Sequence, residues 1–297
     1  MNFRQVKKKI KTVKNVKKIT NAMQMVSAVK MRKAQLAALE GREYRFILDA
    51  ILNKVMKNTS ELNEMNIPWL KPTEGTKTLT ILVTSNKGLC GSFHSYLFKH
   101  VLNEVDASST NFITIGQKGA QFVSALGSPV LADFSNQLPF VDNVSAVFTL
   151  IEEQYVTGEY KEVNIIFNKF ISSLRSEATT EILLPLVDFK LLGNQNKDQN
   201  KDEMPVKELK SDYVIEPSVG ELLGPLIQDY IKERIRSAIA DSEAAEHSAR
   251  MVAMKAATDN AGDVIYSLTL LGNKLRQSQI TNELLDMVAA KESSEAH

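Results

Sequence analysis

The residues best placed to do chemistry lie in one short loop. Asn86 to Phe93 (NKGLCGSF) follow an apolar, β-branched run and open a helical pattern, the place where nucleotide-binding folds put their phosphate loops. The spacing is neither GxxxxGK[ST] nor GxGxxG, and two glycines permitting a tight turn account for it as well. Cys90 stands at the start of that helix, where a thiol becomes more acidic, and His94 follows four residues later, which suggests a nucleophile and its base. That chemistry also needs a group to orient the histidine, and no acid stands nearby in sequence. His94, His100, His247 and His297 are the only histidines, and none is spaced from a cysteine or carboxylate as zinc ligands are. Met23, Met25, Met31, Met251 and Met254 read as adaptable packing rather than a cofactor box. The residues offer no catalytic, cofactor or metal site, so the function is expected in the elements.

Those elements are of two kinds. All eight prolines and ten of the thirteen glycines fall between Pro68 and Pro225. The first 67 residues contain a single glycine, Gly41, and the 72 residues after Pro225 are interrupted only by Gly262 and Gly272. Both ends therefore read as long helices, the second starting after Pro225 and reaching roughly 100 Å at 1.5 Å per residue. Val264, Leu268, Leu271 and Leu275 follow a 4, 3, 4 spacing, which makes one stripe that needs a long partner. In the first helix Val6, Ile10 and Val13 begin a matching stripe, continued by Val16, Ile19, Met23 and Val26, then by Tyr44, Leu48, Ile51 and Val55. Pairing the two as an antiparallel coiled coil buries both.

The punctuated middle changes period. Thr78 to Ser85, Asn111 to Gly116, Glu162 to Phe170 and Glu181 to Leu186 read as strands. Helical patterns run over Ser92 to Ala107, Gln117 to Leu126 and Asn143 to Val156. Alternation of this kind predicts a small, Rossmann-like α/β domain with a largely parallel sheet. The stretch from Gly193 to Ser211 is polar and almost free of apolar residues, the composition of a mobile surface loop. The expected organisation is an N-terminal helix in residues 1–67, a central α/β domain in 68–217 with its loop at 193–211, and a C-terminal helix in 218–297.

Composition narrows the class. The chain has 297 residues, 43% hydrophobic and 24% charged, ordinary for a soluble protein. It shows no run of 18 apolar residues and no apolar signal core at its start. A lone cysteine excludes an internal disulfide and suits a reducing compartment. Net charge is +1, yet eleven Lys or Arg and no acid fall between Met1 and Leu39. That basic helix suits nucleic acid or an acidic membrane, an acidic protein partner, or plain solvation; charge alone does not choose.

Both helical ends carry motifs that go beyond pattern. KITNAMQMVSAVKMRKAQ (Lys18 to Gln35), EHSARMVAMKAATDNAG (Glu246 to Gly262) and NKLRQSQITNELLDMV (Asn273 to Val288) closely resemble the terminal signatures of the gamma subunit of F-type ATP synthases. TSNKGLCGSF resembles the family's SDRGLCGG segment, and SDYVIEP (Ser211 to Pro217) its late central motif. Asn86 and Lys87 stand where the family usually has Asp-Arg, Ser92 where it has glycine, and Ile215 where it is often aromatic.

The resemblance implies a non-catalytic rotor whose helix pair lies inside the ring of alpha and beta subunits, with the α/β domain as a foot on the membrane ring. It implies contacts to the catalytic subunits from Met23, Arg276, Gln277, Thr281 and Glu283, and to the membrane ring from Tyr213 and Glu216. Ile280, Leu284 and Val288 are implied to project past the first helix into an apolar sleeve. It further implies an epsilon subunit as partner, no cofactor, no nucleic acid, no membrane span, and a peripheral place on the cytoplasmic face of the bacterial inner membrane. Cys90 alone lacks the partner for a plastid-type thiol switch.

Overall fold

The computed structural model describes residues 2–58, 68–70, 73–186 and 218–295. Helix α1 (Phe3–Asn58) and helix α5 (Val219–Glu295) fill the proline-poor ends. Asn2 and Gln5 cap α1 reciprocally: the Gln5 amide donates to Asn2 Oδ1 at 2.9 Å and the Asn2 amide to Gln5 Oε1 at 3.0 Å. α5 begins before Pro225, not after it, because Ser218 supplies the cap, its Oγ accepting the Glu221 amide at 3.3 Å. Pro225 then sits in the second turn on an exposed face, where the Glu221 carbonyl, which lacks its helical amide, is open to solvent.

Two compact units divide the chain: Met1–Val29 with Arg250–His297, and Lys30–Ala249. In the second, β1 (Lys77–Val83), β2 (Thr110–Ile115), β3 (Val130–Asp133), β4 (Tyr160–Ser172) and β5 (Arg175–Leu184) form a five-stranded sheet among the described residues, ordered β3-β2-β1-β4-β5. The pairings β1·β2, β1·β4 and β2·β3 are parallel; β4·β5 is an antiparallel hairpin. The largely parallel sheet expected from the sequence is therefore present, with one reversed edge. Helices α2 (Phe93–Glu104), α3 (Gln117–Leu126) and α4 (Val144–Val156) complete the domain.

Alternating strand residues serve two cores. Leu79, Ile81, Val83, Ile113, Val163 and Ile165 pack with α4 and with Leu48, Leu52 and Val55 of α1 and Ile227, Ile231 and Ile235 of α5. Leu82, Phe112 and Ile166 meet Leu97 and Val101 of α2 and Val123 of α3 on the other face. Burial on both faces is why these strands read as continuous apolar runs.

In the unit of Met1–Val29 and Arg250–His297, α1 and α5 pair antiparallel: Val6 lies at Gly272, Lys17 at Gly262, and Thr20 bonds Thr258. The seam differs from the stripes read off the sequence. Val6, Thr20, Ser27, Met254 and Ala261 are buried, whereas Val16, Ile19 and Val26 remain 45%, 59% and 57% exposed. Val264 and Leu271 likewise face outward, leaving Ile265, Leu268 and Leu275 half-buried beside the seam. A repeat of 3.5 residues starting at Val6 reaches residues 10, 13, 20 and 27, and the pairing follows that repeat through its polar positions. The apolar stripe starting at Val16 is one residue out of phase with it. In the other unit Tyr44 is also outward, while Leu48 and Val55 are buried as expected.

Tyr213, Glu216, Ile215 and the 193–211 stretch lie outside the described residues.

Candidate functional site

The loop with the strongest chemical promise closes on itself. The sheet order reverses between β1 and β4, so the crevice at the carboxyl ends of these strands is where such folds take ligands. Cys90, Phe93 and Ala245 are buried together there, with Phe170 and Ala249 against them. Leu89 and Gly91 adopt left-handed φ values of 63° and 59°, which turns the loop inward and aims Cys90 into this cluster rather than toward solvent. His94 stands between two groups, with Nδ1 3.3 Å from Cys90 Sγ and Nε2 3.0 Å from Ser85 Oγ. The cysteine and histidine suggested by the sequence are thus in contact, but a thiol 2% exposed is shut off from any substrate. Among the described residues no group of three or more His, Cys, Asp or Glu could hold a metal ion.

The anion-binding amides of α3 are spoken for as well. The Gln117 amide donates to Asn86 Oδ1 at 2.8 Å, Lys118 to the Ser85 carbonyl at 3.1 Å, and Gly119 to Thr84 Oγ1 at 2.8 Å. Asn86 also donates from Nδ2 to the Ser135 carbonyl at 2.7 Å. An aspartate could accept from Gln117 but could not make the second bond.

A second cluster was invisible in the sequence because its members lie far apart in the chain. Arg234 of α5 donates to the Tyr230 hydroxyl at 2.9 and 3.0 Å and to Glu181 Oε2 of β5 at 3.4 Å. Arg45 of α1 donates to the Gly41 carbonyl and to Ser237 Oγ of α5. Burial raises the Asp49 carboxyl above its ordinary range, against the pull of Arg234 and Arg45. Burial also works against the Arg234 charge, but Tyr230, Glu181 and Asp49 together hold that guanidinium above its usual value. These groups join α1, the edge strand β5 and α5.

What remains open is the outside of the helices. Arg276, Gln277, Thr281 and Glu283 are all exposed. Thr281 donates to the Gln277 carbonyl at 3.0 Å, and Gln279 donates to Glu283 Oε1 at 2.9 Å, which holds these side chains along the helix surface. Met23 is half-buried on α1, near the level of Thr20 and Thr258. Arg276 lies beyond Gly272, past Val6 and close to where α1 starts. The structure therefore places Met23 and Arg276 at different heights and does not bring them together. Ile280, Leu284 and Val288 are exposed as the resemblance implied, and Val16, Ile19, Val26 and Val29 add an outward apolar face that the sequence reading had assigned to the seam or passed over.

An α/β domain whose ligand crevice is filled from within, combined with helices whose seam is satisfied but whose outer faces stay apolar, defines a subunit that works by contact with other proteins. The chain matches the family described as ATP synthase over residues 2–293. It is 34% identical to an ATP synthase gamma chain of Glaesserella parasuis and 35% identical to one of Nitrosomonas europaea, each alignment covering 96% of this chain and 97% of the relative. Its fold is similar to a chain of the Euglena gracilis mitochondrial ATP synthase, with a TM-score of 0.65, 15% identity, and 99% and 95% of the two chains covered. A chain of the Tetrahymena thermophila mitochondrial central stalk gives 0.58 at 24% identity, covering 80% and 99%. The chain belongs to the ATP synthase gamma chain family.

Proposed function

We propose that this chain is the central rotor of an F-type ATP synthase, non-catalytic itself, turning inside a ring of alpha and beta subunits as protons drive the membrane ring. The outward face of the helices carries the reading. Val16, Ile19, Val26, Val264 and Leu271 are exposed although the seam beside them is formed, and apolar side chains left outward along a helix pair suit contact with other proteins.

A rotor must present unlike sides, since a ring is biased station by station only by contacts that differ. In the unit of Met1–Val29 and Arg250–His297, α1 carries Arg4, Lys7, Lys8, Lys9, Lys11, Lys14, Lys17 and Lys18 and no acid, while α5 mixes Lys255 and Lys274 with Asp259, Asp263 and Asp286. Met23, Arg276, Gln277, Thr281 and Glu283 are the proposed contacts to the catalytic subunits. Tyr213 and Glu216 are proposed to meet the membrane ring on the resemblance of their motif, with an epsilon subunit as a further partner. Bacterial relatives support a place on the cytoplasmic face of the inner membrane, and no described helix is long and apolar enough to cross it.

A disulfide between Gln277→Cys and a cysteine introduced in a beta subunit tests the proposal. Turnover should stop when the bond forms and return on reduction. Full ATP synthesis with the bond intact excludes rotation. Tight nucleic-acid binding whose log affinity falls steeply with log salt would favour the basic-helix reading instead.

A further inference from the structure

Two glycines in the middle of a long helix call for an explanation, because each costs about 1 kcal/mol relative to alanine. Gly272 faces Val6: a Cβ at Gly272 would lie 3.5 Å from Val6 Cγ1, in ordinary van der Waals contact, so a methyl group fits there against Val6, which is fully buried. Gly262 faces Lys17, whose Nζ would be 3.0 Å from a Cβ there. Between these heights and the unit's other end, Thr258 Oγ1 donates to Thr20 Oγ1 at 2.7 Å, and Thr20 in turn donates to the Lys17 carbonyl at 3.1 Å. Both hydroxyls stand at seam positions that apolar residues fill elsewhere.

From this arrangement we infer that Val6 with Gly272, and Thr20 with Thr258, form a two-point lock that fixes the axial register of α1 against α5. A seam of repeating apolar residues has neighbouring registers of similar energy, seven residues apart. Slipping one heptad sets Val6 against Ile265 or Gln279 in place of a notch. The same slip sets Thr20 against Met251 or Ile265 and breaks the hydroxyl–hydroxyl bond between the helices. Thr20 keeps the Lys17 carbonyl and Thr258 the Met254 carbonyl, 2.8 Å away, so what is lost is the one bond that ties the helices at this height. Lys17 over Gly262 adds less, because a flexible side chain swings aside at little cost.

The lock makes Val6, Thr20, Thr258 and Gly272 positioning residues. It sets the height at which Met23 on one helix and Arg276 and Gln277 on the other meet partners, and in that consequence it rests on the rotor reading. The lock itself does not.

The test uses paired cysteines in the full chain, read by oxidative cross-linking with buried Cys90 retained. Val13 and Ile265 lie one heptad inward from Val6 and Gly272, so Val13→Cys with Ile265→Cys should cross-link, and Ile10→Cys with Ala261→Cys, which would face each other only after a slip of one heptad, should not. Adding Gly272→Val should lower the in-register yield at least fivefold and raise the slipped one. Adding Val6→Ala to Gly272→Val, which moves the knob to the other helix, should restore the in-register yield. Thr20→Asn or Thr258→Val should permit slippage without the swap's rescue, and serves if Gly272→Val does not fold. An unchanged cross-link pattern in all of these overturns the lock. In the assembled complex, ATP synthesis should fall in the slipped variant and recover in the swap. A register that shifts and recovers while synthesis does not follow would leave the lock standing and count against the rotor.

Discussion

Arg276 carries its charge into solvent at a height where α1 is starting, so nothing in the fold depends on it. Arg276→Ala should change the unfolding free energy of the chain by less than about 0.5 kcal/mol and lower ATP synthesis by the assembled complex severalfold; chemical denaturation and coupled synthesis read the two effects. Equal losses would mean a structural role. Arg234 is the opposite case. Arg234→Met removes the ion-pair partner of Glu181 and leaves Asp49 with Arg45 alone, and should destabilise the chain by about 3 kcal/mol. Adding Glu181→Leu should recover part of that loss.

The raised carboxyl of Asp49 gives a pH dependence of definite sign. Its folded value lies above its ordinary 3.8, so its contribution to stability is fully present below that value and lost as pH rises through the folded value. Asp49→Asn should therefore gain on the parent chain as pH is raised from below 3.8 toward neutrality, measured by denaturation at each pH. At this scale the sequence showed the neighbours Cys90 and His94, because they are only four residues apart; their contact is made by the turn at Leu89 and Gly91 that precedes α2. It could not show Arg234 meeting Glu181, 53 residues away, or Arg45 meeting Ser237, 192 residues away, since only the fold joins them.

Elements were legible where period and punctuation agree. The helix at Gln117–Leu126 has the bounds read from the sequence, closed by glycines on both sides. Strand β3 went unread because its four residues, VLAD, are too few to show alternation. β5 was read only from Glu181 because its first half, from Arg175, is polar and half-buried at the sheet edge. The seam was misphased for a different reason: Thr20 and Ser27 are buried where the sequence offers Ile19 and Val26 to the eye. A helix-to-helix geometry, once fixed at one end, carries small polar residues inward.

Two outcomes belong to this scale. Gly116 holds φ of 101°, and a Cβ there would lie 2.6 Å from the Thr84 carbonyl oxygen, so Gly116→Ala should cost at least about 2 kcal/mol in a thermal or chemical melt. From Gln277 onward every side chain described, residues 277–291, is exposed, and a chain ending at Arg276 keeps the seam from Val6 inward. The melt of the chain should be nearly unchanged, while coupled synthesis by the complex falls.

The family was legible from motifs in three regions of the chain taken in order, and the match across residues 2–293 bears that out. The membrane-ring contacts at Tyr213 and Glu216 rest on motif resemblance and await a cross-link of their own. For the whole molecule, the claim that matters is motion relative to the catalytic ring. The most direct measurement fixes the beta subunits of the assembled complex to a surface, attaches a probe to an exposed position of this chain such as Lys87, and watches it while ATP is hydrolysed. The account predicts steady turning in one direction, halted by the reversible disulfide at Gln277→Cys. A probe that stays still while ATP hydrolysis proceeds at full rate would contradict it.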